Sequence, residues 1–215
     1  VLTRLFGDYC MIASADLLLQ TKHDTEHKRL VAGLSMGPRL VLINELPKHA
    51  VWDDARVKLI GSRDDIQTRK LYGESYSFTP THHVFVRGNH APGSQDASDS
   101  FWKRVWPVTF DVQIPKAKQV AGLDDKIAAA ELPGVLNWAL EGARAWRADG
   151  EARGSLGRLV LPRSVVDARE RYRAKTDYVA RWLLDRTEEI DGERESQGAL
   201  WASYRDFCYA SGLRS

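Results

Sequence analysis

Two polar side chains each follow a short apolar run that predicts a buried strand. Glu45 ends the run RLVLINE, and Asn89 follows Val84–Val86 in VFVRGNHAP. A carboxylate at the end of a strand can hold Mg²⁺ or orient an attacking water. The basic pair Lys103-Arg104 comes after a polar loop, and an outward arginine can reach a phosphate on a neighbouring subunit. The pattern indicates a nucleotide-hydrolysing site.

Each of these residues also has a simpler explanation. Glu45 could end a strand at the surface, and Lys103 and Arg104 could be ordinary surface cations. His23 and His27 are four residues apart, a spacing that can bind a metal, but HDTEH lacks the HExxH pattern and a third ligand. A solvated helix face is therefore the preferred interpretation of this histidine pair.

A basic β-hairpin is predicted after residue 65. Two short alternating segments flank Arg69, Lys70 and Gly73. Basic side chains on a projecting hairpin can contact phosphates, and Tyr72 can stack on a base. Taken alone, this stretch is more often a solvated loop. A metal-dependent nuclease built on Asp64, Asp65 and the histidines has little support because no acid cluster has a ligand spacing.

The predicted elements alternate between helices and strands, which indicates an α/β fold with a parallel sheet covered by helices on both faces. Strands are expected at residues 39–45, 84–86 and 108–112. Helices are expected at residues 1–6, 15–20, 26–34, from 53 onward, 124–146, 165–184 and 199–210.

Composition narrows the class of protein. The net charge of +2 means that any contact with nucleic acid needs a local basic patch. No apolar run approaches the roughly 20 residues of a membrane span. Cys10 and Cys208 lie far apart and match no metal-ligand spacing, so we expect reduced thiols in a cytoplasmic protein.

In this order and spacing the motifs resemble the helicase region of phage and plasmid primase-helicases, which are superfamily 3 helicases with an AAA+ fold. The similarity covers almost the whole chain. RLVLINE resembles the Walker B strand with Glu45 as the catalytic carboxylate, and VFVRGNHAP resembles motif C with Asn89 as sensor 1. FWKRVWPVTF resembles the arginine-finger segment.

The segment from Lys58 to the predicted hairpin is similar to the family's B′ motif, K-x-L-T-G-G-D-x-I-x-A-R. Lys58, Asp64, Ile66 and Arg69 match it, whereas GSR at residues 61–63 replaces TGG. The resemblance implies that Lys58, Arg69, Lys70 and Tyr72 contact single-stranded DNA.

The resemblance also implies a domain organisation. Residues 1–147 would form the AAA+ core and a helical lid, with GVLNWALEGARAW as the lid helix. Residues 148–164 would be a linker, and residues 165–215 would begin a winged-helix domain.

The implied mechanism is ATP hydrolysis between the subunits of a hexameric ring. Glu45 would activate water and bind Mg²⁺, Asn89 would orient the water, and Arg104 of the neighbour would neutralise charge. Lys103 is the other candidate for that finger. Asn44 and Lys103 would contribute to nucleotide binding. A bacterial cytoplasm, with a phage or mobile element as the source, is the implied setting.

The chain departs from the family pattern in two places. It contains no glycine-rich phosphate loop, GxxxxGK[ST], and Val1 is expected to lie within the helix that follows that loop. Asn44, rather than an acid, precedes Glu45. A truncated or degenerate AAA-like module that binds DNA or partner subunits without turnover is therefore the alternative function.

Overall fold

The computed structural model describes residues 1–21, 24–69, 73–94, 98–154, 159–188 and 190–211. In chain order its helices and strands are α1 (Leu2–Phe6), β1 (Cys10–Ala13), α2 (Thr25–Leu34), β2 (Leu40–Asn44), α3 (Asp54–Ile60), β3 (Ile66–Arg69), β4 (Ser75–Phe78), β5 (His83–Arg87), α4 (Asp99–Trp102), α5 (Leu123–Ala130), α6 (Leu132–Ala152), α7 (Arg163–Thr176), α8 (Tyr178–Arg186) and α9 (Gln197–Ala210). Single 3₁₀ turns lie at Gly7–Tyr9, Ala15–Leu17 and Lys116–Lys118.

A three-stranded parallel sheet lies at the centre, in the order β1-β2-β5. The first four residues of β2 are all buried, as expected for a central parallel strand with a continuous apolar sequence. The prediction of an α/β fold with a small parallel sheet and flanking helices is confirmed.

The core lies on the face of the sheet that carries Val41 and Ile43. Helices α2, α3 and α4 contribute Leu30, Leu34, Val57, Ile60, Phe101 and Trp102 to it. The opposite face carries Ile12 and Phe85, paired across Leu42, and these two side chains are 63% and 53% exposed.

Arg56 is the buried cation of this core. Its guanidinium donates to the carbonyl oxygens of Asp16 at 3.0 Å and Leu19 at 2.9 Å, and it forms ion pairs with Asp24 and Asp53. These partners neutralise the charge and connect α3 to the segment that follows β1. The sequence pattern indicated only a helix beginning near Asp53, which does cap α3 by accepting from the Arg56 amide.

The predicted hairpin is confirmed. β3 and β4 pair antiparallel, with Arg69 opposite Ser75 at the end near the turn. The predicted DNA-contacting residues Lys70 and Tyr72 lie outside the described residues.

Three predictions of secondary structure were wrong. Strand β1 was missed, because Cys10–Ala13 is only four residues long and is separated from α1 only by the 3₁₀ turn at Gly7–Tyr9. The segment predicted as a strand at Val108–Val112 pairs with no strand of the described residues, and Val108, Phe110 and Val112 are 65%, 92% and 86% exposed. An extended apolar segment without a partner leaves its backbone groups to water.

The third wrong prediction is the single long helix at residues 165–184. The structure has two helices there, α7 and α8. Asp177 lies between them and accepts a hydrogen bond from the Ala180 amide at 2.9 Å, which starts α8 as an N-cap. In addition, α6 continues to Ala152 and α7 begins at Arg163, so both helices extend into the predicted linker at 148–164.

Helix α7 packs onto the central core through one side chain. Tyr172 accepts a hydrogen bond from Trp52 Nε1 at 2.7 Å, donates to the Pro92 carbonyl, and meets Trp102 edge-on at 5.2 Å. Burial raises the pKa of Tyr172 to about 12. Helices α8 and α9 form a second, smaller cluster of Trp182, Phe207 and Cys208.

Within the described ranges, none of the helices combines the length and the apolar character needed to cross a membrane.

Candidate functional site

The carboxyl ends of β2 and β5 meet at one edge of the sheet. Because the two strands are parallel and in register, Asn44 lies opposite Arg87, and the residues after each strand face the same space. A cleft of about 500 Å³ opens there, lined by Asn44, Glu45, Leu46, Arg87, Gly88, Asn89 and His90. Clefts at the carboxyl ends of parallel strands are the usual ligand sites of α/β sheets.

The structure therefore places two predicted residues from different strand ends, Glu45 and Asn89, in the lining of the same cleft. Each follows a strand, both are exposed, and both line the cleft with the predicted Asn44. A carboxylate beside amides in an open cleft can accept a proton from a bound water and orient a polar ligand.

Glu45 has a left-handed backbone conformation, with φ of 62°. This region is disfavoured for residues other than glycine and asparagine, and costs on the order of 1 kcal/mol. Strained residues of this kind concentrate at functional sites, where the surrounding structure imposes them. The turn carries Glu45 out of the direction of β2 and into the cleft lining.

Gly88 allows the two strand ends to approach closely. A Cβ placed at this position would lie 3.2 Å from Cγ of Leu46, which is tighter than ordinary packing. The absence of a side chain at Gly88 lets the turn after β5 sit against Leu46 and brings Asn89 beside Glu45 in the cleft lining.

Arg87 is the cleft residue that the sequence interpretation missed. Its Nε and Nη2 groups donate to Asn44 Oδ1 at 2.9 and 2.7 Å. The position of Arg87 in the sequence could have indicated this role. Arg87 is the last residue of β5 and Asn44 is the last residue of β2, and paired parallel strands place such residues side by side.

Lys103 and Arg104 do not line the cleft. They follow α4, which is anchored by the buried side chains of Phe101 and Trp102, and both basic residues are exposed. Arg104 Nη1 donates to the Ser100 carbonyl at 2.5 Å, and its side chain passes Gly61. Trp106, two residues after Arg104, is 44% exposed.

The predicted DNA-contacting residues lie on two elements. Lys58 is half-buried near the end of α3, whereas Arg69 is exposed at the end of β3. Neither Lys58 nor Arg69 lines the cleft.

Among the described residues, no group of three or more His, Cys, Asp or Glu side chains is placed to hold a metal ion. Mg²⁺ in nucleotide sites commonly takes only one or two carboxylates, with the remaining ligands from phosphates and water. Glu45 fits this role as the carboxylate of the cleft. Asn44 fits it poorly, because its side-chain oxygen already accepts from Arg87.

No family model matches the chain, and no curated protein matches it either.

Proposed function

We propose that this chain is the ATP-hydrolysing module of a DNA helicase, of the primase-helicase type found in phage, prophage and plasmid replication. The observation that carries the proposal is the cleft between β2 and β5, in which Glu45 and Asn89 lie together. The motif resemblance gives these two residues complementary roles, and they come from separate strands. Their meeting in one cleft at the carboxyl edge of a parallel sheet supports the proposal.

The proposed chemistry is attack of water on the γ-phosphorus of ATP, with cleavage of the bond to the β-phosphate oxygen. Glu45 accepts the proton of the attacking water, and Asn89 orients that water against the phosphate. Mg²⁺, held by Glu45 and the ATP phosphates, would neutralise phosphate charge when bound.

Arg104 acts in this proposal on the cleft of a neighbouring copy. Arg104 does not line the cleft of its own chain, which is consistent with that role. Its exposed position after the buried residues of α4 suits a side chain that reaches across an interface. Lys103 is the second candidate for the same task.

Assembly into a ring is part of the proposal, because Arg104 would act on the cleft of a neighbouring copy.

The finer fold assignment belongs to the same proposal: an AAA+ core, a helical lid and the start of a winged-helix domain. The hairpin of β3 and β4 would track single-stranded DNA through the ring, with Arg69 and Lys70 on phosphates, Tyr72 on a base and Lys58 in support.

The test is DNA-stimulated ATP hydrolysis, measured on the 215-residue chain and on a form extended upstream of Val1. We expect Glu45→Gln to reduce the rate by at least about 10²-fold, the usual contribution of a general base. Glu141→Gln, an exposed carboxylate on α6, is the matched control and should retain the parental rate. Hydrolysis at the parental rate in Glu45→Gln would show that the site assignment is wrong.

The alternative function is a module that binds DNA or partner subunits without turnover. The observation in its favour is that GxxxxGK[ST] does not occur in the 215 residues. Binding of single-stranded DNA without hydrolysis in the extended form would favour this alternative, whereas DNA-stimulated hydrolysis that depends on Glu45 would exclude it.

A further inference from the structure

Arg87 and Asn44 form one unit at the carboxyl edge of the sheet. Two N–H groups of the guanidinium converge on Asn44 Oδ1, at 2.9 and 2.7 Å, and both residues line the cleft. Within the described part of the chain, Arg87 forms no ion pair with a carboxylate, Glu45 included. The positive charge at this corner is therefore held by a neutral amide and is not cancelled.

This arrangement determines what the corner can bind. The Asn44 oxygen, its only side-chain acceptor, is occupied by Arg87. What remains toward the cleft is the amide NH₂ of Asn44 and the other N–H groups of Arg87, all of which are donors. A corner that offers donors and a positive charge attracts an anion and repels a metal ion.

Glu45 adds a hydrogen-bond acceptor to a cleft whose other corner offers donors. It is adjacent to Asn44 in sequence, but its left-handed backbone turns it away from the strand direction, and its carboxylate can only accept when ionised. The cleft thus pairs a donor corner of Arg87 and Asn44 with an acceptor at Glu45. A phosphoryl group attacked by water needs both: donors for its oxygens and an acceptor for the proton of the water.

We propose that Arg87, positioned by Asn44, binds a terminal phosphoryl oxygen of the nucleotide from within the same chain. Guanidinium groups suit phosphate because several N–H donors lie in one plane. The identity of the ligand as a nucleotide rests on the proposed function, whereas the anion-binding role of Arg87 does not. In this arrangement Asn44 is a positioning residue that holds the guanidinium at the cleft.

The experiment uses inorganic tripolyphosphate as the probe, without Mg²⁺, so that neither the nucleoside nor a metal contributes. Its binding to the 215-residue chain and to every variant is measured by isothermal titration calorimetry. In the parent chain, an NMR titration of the Arg87 Nε–H signal, assigned by its loss in Arg87→Lys, shows whether the anion contacts this guanidinium. The variants are Arg87→Ala, Arg87→Lys and Asn44→Asp. Arg147→Ala on α6 is the matched control, because Arg147 is 74% exposed and pairs with Glu151.

We expect Arg87→Ala to weaken tripolyphosphate binding about 10- to 100-fold, the range for hydrogen bonds to a charged group. Arg87→Lys should lie between Ala and the parent, since it keeps the charge and loses the planar donors. Asn44→Asp should also weaken binding, because the new carboxylate would pair with Arg87 and cancel its charge. Arg147→Ala should bind as the parent does.

The inference is overturned if Arg87→Ala binds as well as the parent, or if the parent chain binds no tripolyphosphate at millimolar concentration. Circular dichroism of each variant distinguishes lost binding from lost folding; substitution of exposed residues is expected to leave the unfolding temperature unchanged. The two proposals fail separately. If Arg87→Ala binds tripolyphosphate as the parent does while hydrolysis still depends on Glu45, only this inference is wrong. If Arg87 binds the anion but the chain hydrolyses no ATP, only the proposed enzymatic function is wrong.

Discussion

The indole N–H of Trp52 donates to the hydroxyl of Tyr172 at 2.7 Å, across 120 residues of sequence. The same hydroxyl donates to the Pro92 carbonyl, so one side chain of α7 connects the start of α3 to the loop after the cleft. Arg173, the next residue, pairs with Asp99 at 2.7 Å. Helix α7 is therefore attached to the sheet core by polar contacts as well as by packing.

Tyr172→Phe should lower the free energy of unfolding by about 1–3 kcal/mol. The substitution keeps the ring against Trp102 but leaves the Trp52 N–H and the Pro92 carbonyl without this partner. Urea denaturation followed by tryptophan fluorescence measures the change. Tyr209→Phe on α9, where the side chain is 88% exposed, should change it by less than about 0.5 kcal/mol. Equal effects of the two substitutions would contradict the role given to Tyr172.

Arg56→Lys should destabilise the protein by about 2–4 kcal/mol although it preserves the charge. A lysine ammonium cannot reproduce the fork that reaches the Asp16 and Leu19 carbonyls together with both carboxylates, so buried acceptors lose their donors. Thermal and urea unfolding test this. Arg29→Lys is the control, because Arg29 is 71% exposed and forms an ion pair with Glu26, three residues away on α2. It should cost less than about 0.5 kcal/mol.

Stability should fall as the pH is lowered below about 6.5, in part through His82. Burial lowers the pKa of His82, whose Nε2 donates to the Ile60 carbonyl at 3.1 Å while Nδ1 is buried without a partner among the described residues. Because the pKa is lower in the folded state, the unfolded state binds the proton first. The stability is complete above the unfolded pKa and is lost as the pH falls through the folded value.

The measurement is the unfolding temperature between pH 8 and about pH 5 for the parent and for His82→Gln, which keeps a donor for Ile60 and cannot titrate. The variant should show a shallower decline. Burial also lowers the pKa of His27, so His27→Gln combined with His82→Gln should flatten the profile further. A profile unchanged by both substitutions would exclude these histidines as its cause.

Arg104→Ala should abolish ATP hydrolysis in the proposed ring, and activity should return when this variant is mixed with Glu45→Gln. In mixed rings, some interfaces combine an intact Glu45 from one copy with an intact Arg104 from the next. Random mixing in equal amounts should restore about one quarter of the parental rate. The same mixing with Lys103→Ala identifies which of the two basic residues reaches the phosphate. No recovery with either variant would contradict action across an interface.

The sequence alone determined the elements whose signals are local. The continuous apolar run of β2 predicted a buried parallel strand, and the alternating segments around Gly73 predicted the hairpin of β3 and β4. Asp53 and the residues after it predicted the start of α3, because an N-cap and the helix it begins are neighbours in the chain. Glu45 and Asn89 were found for the same reason, because Glu45 directly follows β2 and Asn89 lies two residues after the end of β5.

Only the tertiary structure decided which strands pair and which polar side chains meet a partner. Val108–Val112 has the composition of a strand, yet it pairs with no strand of the described residues, since strand formation depends on a neighbour that composition cannot reveal. Arg56 is a buried charge because acceptors from the segment after β1, Asp24 and the N-cap Asp53 converge on it. Arg87 meets Asn44 because β5 pairs with β2 in one particular register, and register is a property of two strands that neither sequence segment contains.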